Sequence, residues 1–307
     1  MRALAGVAVL AVAVSLTACQ PRHDAAPADR LARGSSSHSI TVDDRERTFG
    51  LYAPRSLPSG SAVPLVVMLH GGFGTGAQAQ EAYGWDEEAD RGGFVVAYPD
   101  GLNRAWAVGA GCCGQPGRQA VDDVAFVEAV VAAVGRLTPI DPARVYATGM
   151  SNGALLSYRL ACDSRLFAAI APVAGTQLGD CAPPAPVSVL HVHGGADANV
   201  AFDGSPGAGV AKIDGPPVPE VLAGWRAIGE CGEPVVTVDG EVTTSSSQCA
   251  NGREVELVLV AGAGHQWPGS RPKTAVEKLL GLDPPSDALD ATAVIWRFFA
   301  AHPRPAV

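Results

Sequence analysis

Apolar residues in this chain gather in short unbroken runs, separated by amphipathic stretches and glycine-rich turns. Residues 64–70 (Pro-Leu-Val-Val-Met-Leu-His) and 94–98 (Phe-Val-Val-Ala-Tyr) show no polar alternation, which predicts strands buried on both faces of a parallel sheet. Residues 167–173, 187–193 and 254–260 read as further strands, as does the apolar run from Arg144 that precedes Gly149. Helical spacing marks 85–91, 122–137 and the segment after Gly153. A closing helix is predicted over 288–302, with apolar residues at Ala291, Val294, Ile295, Phe298 and Phe299. Residues 39–54 predict a hairpin around a charged turn. Strands alternating with helices predict an α/β fold, a single doubly wound, mostly parallel sheet flanked by helices. No repeat period or Pro/Ser-rich linker divides it, so residues 39–303 read as one domain.

Composition removes several function classes. The chain is 47% hydrophobic and 17% charged, enough for a sizeable core in 307 residues and too apolar for disorder. A net charge of −9 without any Lys/Arg run argues against a nucleic-acid partner and against electrostatic binding to a membrane surface. The N-terminus reads as a targeting segment: Met1-Arg-Ala, an apolar stretch from Leu4 to Ser15 too short to span a bilayer, then Leu16-Thr-Ala-Cys19. That tetrapeptide resembles a bacterial lipobox, so residues 1–19 are expected to be a lipoprotein signal with Cys19 as the lipidated residue and a lipid anchor in the membrane. Residues 20–38 are expected to be a flexible tether. Export permits disulfides. Six further cysteines allow fifteen pairings, of which Cys231–Cys249 is expected and the pairing of Cys112, Cys113, Cys162 and Cys181 is left open. No Cys-x-x-Cys is present and the histidines lie elsewhere, so no metal site is expected.

The chemistry concentrates at Gly149-Met-Ser151-Asn-Gly153, a Gly-x-Ser-x-Gly between a predicted strand and a predicted helix. In that context the pattern is a nucleophile elbow, with glycines where the turn is crowded and Ser151 exposed at its apex. Serine needs a base held by a third group. In open α/β sheets such groups lie past the C-terminal ends of strands. His265, in a glycine-rich loop after the last strand, fits the base, whereas His23 and His38 fall in the tether and His302 follows the last helix. His191 and His193 alternate along one strand and are expected as buried core or supporting residues on one side of the sheet. Asp197, after His193-Gly-Gly-Ala, fits the acid, with Asp203 second and more readily read as a turn cap. The order Ser151, Asp197, His265 is that of α/β-hydrolases. The backbone N–H groups of Gly72, after His70-Gly71, and of Asn152 fit an oxyanion hole. Trp106 and Trp267 are candidate pocket residues. The insertion 199–253 is expected to cover the site, with Trp225 in the core.

Six stretches taken together resemble the polyhydroxybutyrate-depolymerase-type esterase family. They are residues 89–101, Trp106 with Cys112-Cys113-Gly, Asp122-Asp-Val, residues 144–153, His193-Gly-Gly-Ala-Asp197 and His265-Gln-Trp-Pro-Gly269. The family also includes bacterial feruloyl and acetylxylan esterases and actinobacterial lipoprotein esterases. The resemblance covers nearly all of residues 39–302. It implies an exported serine carboxylic ester hydrolase of α/β-hydrolase fold with Ser151, Asp197 and His265 as triad, no cofactor, and a small or polysaccharide-linked ester as partner. The acyl group (feruloyl, acetyl or short hydroxyalkanoate) and the oligomeric state are left open. Extracellular polyester depolymerases usually carry a linker and a polymer-binding domain. The chain leaves no room for them, which favours smaller esters. A cell-envelope acyltransferase on the same triad and a non-catalytic binding lipoprotein are the alternatives.

Overall fold

A computed structural model describes residues 31–305 apart from 59, 110, 182–184, 209–212 and 272–282. The lipobox Cys19 and the first part of the expected tether lie outside the described residues. β1 (Gly34–Val42) and β2 (Arg45–Ala53) form an antiparallel hairpin across Asp43-Asp44, both at positive φ (49° and 57°), as a tight two-residue turn demands. Residues 34–38, expected in the tether, are thus strand. Their serine-rich sequence lacks the apolar alternation that announces a strand, and it is the register with β2 that orders them.

β3 (Val63–Leu69), β4 (Val95–Pro99), β5 (Ile140–Met150), β6 (Ala169–Val173), β7 (Ser188–Gly194) and β10 (Glu254–Val260) form a parallel centre in the order β4-β3-β5-β6-β7-β10. Antiparallel strands extend it at both edges: β1-β2 beside β4, and β9 (Val242–Gln248) then β8 (Val235–Asp239) beside β10. Buried runs feed two cores, one on each face. Leu65, Val67 and Leu69 of β3 face α4 (Asp123–Leu137), α5 (Asn152–Asp163) and α6 (Val218–Ile228), with Phe126, Leu156 and Trp225 filling that side. Val66 and Met68 face the opposite core, built from Ala79 of α1 (Gly76–Ala82), Trp85 of α2 (Trp85–Gly92) and Ile295 and Phe299 of α7 (Ala291–Ala301). A short helix, α3 (Gly114–Arg118), follows Cys113.

Between β7 and β10 the structure departs from expectation. Residues 199–217 pack beside the loop after β6, where Thr176 Oγ1 donates to Pro216 O at 2.8 Å. The rest becomes α6, with Trp225 buried as expected, and the β8–β9 edge hairpin, so it lengthens the sheet instead of covering its end. Alternating Val, Thr and Ser make these two strands, and β10 offers them an open edge. Disulfides join Cys231–Cys249, as expected, Cys162–Cys181, and the adjacent Cys112–Cys113. Among the described residues no helix is long and apolar enough to cross a membrane.

Candidate active site

Ser151 is the single residue between the end of β5 and the start of α5, at φ 54° and ψ −118°. A residue with a Cβ is strained there. The turn is fixed by Ser151 N–H donating to Val173 O at 2.9 Å and by Leu155 N–H donating to Ser151 O at 3.0 Å. A Cβ on Gly149 would lie 2.6 Å from the Gly153 carbonyl carbon, and one on Gly153 would lie 2.3 Å from Leu69 O. Both glycines are therefore steric requirements for folding helix against strand so tightly. α5 starts immediately after Ser151, which directs its N-terminal dipole toward the serine.

Asp197 and His265 come from the turns after β7 and β10 and meet in a buried hydrogen bond, His265 Nδ1–H to Asp197 Oδ2, at 2.8 Å. The other carboxylate oxygen accepts the N–H groups of Asn199 (2.8 Å) and Val200 (2.9 Å). Burial alone would raise the Asp197 pKa, but the His265 hydrogen bond and charge, helped by Val200 N–H, outweigh it and hold the carboxyl below its ordinary range. The two turns are stitched by Ala196 N–H to Ala263 O at 2.9 Å. His265 N–H donates to Asp283 Oδ2 at 2.6 Å, and Asp283 occupies the space a side chain at position 264 would need. Sequence reasoning missed Asp283 because nothing local links it to a loop 18 residues upstream. Among the described residues no hydrogen bond joins Ser151 Oγ to His265 Nε2; such bonds are often long before substrate binds. Asp203 is exposed and accepts Ser205 N–H at 2.9 Å, the turn-cap role.

Gly72 rests beside Asn152: a Cβ on Gly72 would lie 3.9 Å from Asn152 Cβ. Among the described residues neither backbone N–H is spent on another partner, so both donors remain free to meet an oxyanion. The Asn152 side chain accepts Trp106 N–H at 2.7 Å and donates to Trp106 O at 3.2 Å. Trp106 Nε1–H in turn donates to His70 O at 2.8 Å. His70 Nδ1–H donates to Gly71 O at 2.7 Å while Nε2 accepts Gly101 N–H at 2.9 Å, which fixes the neutral tautomer; burial also lowers its pKa. A buried pair, Arg47 Nη2 to Asp123 Oδ1 at 2.6 Å, anchors the same loop through Ala107 N–H to Asp123 Oδ2 at 2.7 Å.

These contacts correct two expectations. Trp106 is wholly buried, so it is a brace under the Gly72 loop and no pocket wall. Trp267 is buried as well, stacked on Tyr83 at 4.7 Å with Nε1–H donating to Thr292 Oγ1 at 3.1 Å. It fixes the loop that carries His265. Large aromatics at such positions are taken by the core because each buries so much apolar area.

Comparison with known proteins agrees with this architecture. The family model described as "Esterase PHB depolymerase" matches residues 48–252. "Putative esterase NocK" of Nocardia uniformis subsp. tsuyamanensis is 32% identical over 263 residues, 76% of this chain and 74% of that protein. "Feruloyl esterase B" of Piromyces equi is 28% identical over 69% of this chain but only 41% of its own length. The acetyl xylan esterase of Aspergillus awamori shares the fold at a TM-score of 0.57 and 16% identity, covering 80% of this chain and 99% of that one. A thermostable esterase does so at 0.58 and 15%, covering 88% and 63%. The chain belongs to the esterase PHB depolymerase family, and its fold is that of α/β-hydrolase esterases.

Proposed function

We propose that this member of the family is an exported serine carboxylic ester hydrolase working through a Ser151–His265–Asp197 triad and an acyl-enzyme. The observation that carries the reading is Ser151 held at positive φ at the head of α5, in the same chain as a buried 2.8 Å His265–Asp197 hydrogen bond. Ser151 Oγ attacks the ester carbonyl carbon as His265 Nε2 takes its proton; Asp197 holds the Nδ1–H tautomer and stabilises the imidazolium. The Gly72 and Asn152 N–H groups receive the oxyanion, and one such donor contributes about 3 kcal/mol in the transition state. His265 then protonates the leaving alcohol, and water attacks the acyl-enzyme to release the acid and restore Ser151.

Small or polysaccharide-linked esters with feruloyl, acetyl or short hydroxyalkanoate acyl groups fit the reading, in line with relatives named feruloyl and acetylxylan esterases. Three disulfides support an oxidising compartment, and the Leu16-Thr-Ala-Cys19 tetrapeptide supports a lipid anchor at Cys19. The test is hydrolysis of p-nitrophenyl acetate, p-nitrophenyl butyrate and methyl ferulate by the oxidised domain and by Ser151→Ala. Turnover lost in the variant supports the reading. A folded domain that turns over none of the esters contradicts it and favours the acyltransferase or the binding protein.

A further inference from the structure

Behind Asp197, on the face of β7 that packs against α5, three polar side chains are wholly buried: Tyr158, His191 and His193. Tyr158 Oη lies 2.8 Å from His191 Nδ1, His191 Nε2 lies 2.9 Å from His193 Nδ1, and His193 Nε2 lies 2.9 Å from Val200 O. The last acceptor orients the whole series. A carbonyl only accepts, so His193 carries its proton on Nε2 and its neutral ring presents a lone pair at Nδ1. His191 must then donate from Nε2 and accept at Nδ1, which leaves Tyr158 as the donor. Val200 closes the path, because its own N–H donates to Asp197 Oδ1 at 2.9 Å while Asp197 Oδ2 takes His265 Nδ1–H.

Tyr158 sits on α5, the helix that starts directly after Ser151. The hydrogen bonds thus run from the nucleophile's helix, across β7, to the acid and on to the base. We propose that Tyr158, His191 and His193 are positioning residues, a buried one-directional tie that holds the Asp197 turn, and through it His265, in register with the helix carrying Ser151. This rests on the serine-esterase reading above. The tie works only with both imidazoles neutral. A proton on His193 would place a cation 3.6 Å from Asp197 Oδ2, in competition with His265 for the same oxygen. Burial, the largest influence, lowers the pKa of both rings, His191 well below the usual range. The titratable groups facing the pair are Tyr158 from α5, Asp197 from the acid turn and His265 from the base loop; the rings of Phe202 and Trp225 complete the surround.

Two measurements test the proposal. In wild-type protein, ¹⁵N-detected histidine NMR is expected to find His191 and His193 neutral and protonated on Nε2 between about pH 5 and pH 8. An Nδ1–H tautomer at either ring, or a charged ring in that window, overturns the tie. The second uses Tyr158→Phe, which removes one O–H and keeps the ring. Without that donor the neutral form of His191 is less stable, so its proton affinity rises and the tie fails at a higher pH. The expected result on p-nitrophenyl acetate is a kcat about tenfold lower, KM within about twofold, and an acid limb of kcat/KM moved to higher pH. Wild-type kcat and pH profile, with only the melting temperature lowered, would make these residues core packing and sink the proposal. A wild-type protein that hydrolyses no ester would sink the serine-esterase reading instead, while the NMR result would still decide the tie.

Discussion

Around Ser151 the backbone is placed by steric exclusion between near neighbours: Gly149 against Gly153, Gly153 against Leu69, and Ser151 held between a strand and its own helix. Around Asp197 and His265 placement comes from hydrogen bonds between residues far apart in the chain, Asp283 to His265, Val200 to Asp197 and Ala196 to Ala263. The first arrangement is intolerant of added atoms and indifferent to chemistry. The second is the reverse, since its loops have room but depend on particular donors and acceptors. A nucleophile that must sit in a strained conformation needs the former, and a base that must move a proton can work on the latter.

The contrast predicts how each half fails. Gly153→Ala adds one methyl where the nearest atom, Leu69 O, would be 2.3 Å away, so α5 must shift from β3. Turnover should fall by more than about a hundredfold, as expected when a nucleophile is displaced by an ångström, with a stability loss of about 1–3 kcal/mol. Steady-state kinetics beside thermal melting would show it. On the other half, Asp283→Ala removes no packing that Ser151 uses. It costs the acceptor of His265 N–H, and kcat should fall about tenfold while Asp283→Asn retains most of it. Equal losses at both positions would break the comparison.

Two smaller effects sharpen it. Cys162–Cys181 ties the C-terminal end of α5 to the segment after β6. Replacing both by serine should cost about 3 kcal/mol of stability in denaturant titration while leaving kcat at 25 °C within about twofold, because the elbow is set at the other end of the helix. Glu256 on β10 has its pKa raised to about 7, by burial first and then by Glu254. Its folded-state pKa exceeds the unfolded one, so the native chain binds the extra proton and stability falls as pH rises through about 4.5 to 7. Glu256→Gln should therefore melt higher than wild type at pH 8, match it more closely at pH 5, and leave turnover unchanged.

The same division explains what could be read in the sequence. The elbow, the buried parallel strands and the chain order of Ser151, Asp197 and His265 are carried by local patterns, and all three sequence-predicted triad residues lie in the turns at the C-terminal ends of parallel strands. Asn152 was legible as a backbone donor, but not the grip of its side chain on Trp106, a contact across 46 residues. Trp106 and Trp267 were misread because an aromatic near a catalytic motif looks the same on paper whether it faces substrate or core; burial alone distinguishes them. β1 hid in a serine run, since its order comes from pairing with β2 and not from its own alternation. Asp283 had no local signal of any kind.

The most direct test of the central claim is covalent. The oxidised domain would be treated with a fluorophosphonate, which traps an activated serine, and followed by intact mass and peptide mapping. The account predicts one adduct per chain, on Ser151, abolished in Ser151→Ala and strongly slowed in His265→Ala. An adduct on another residue, or none on a folded protein, would contradict the assignment of Ser151 as the nucleophile.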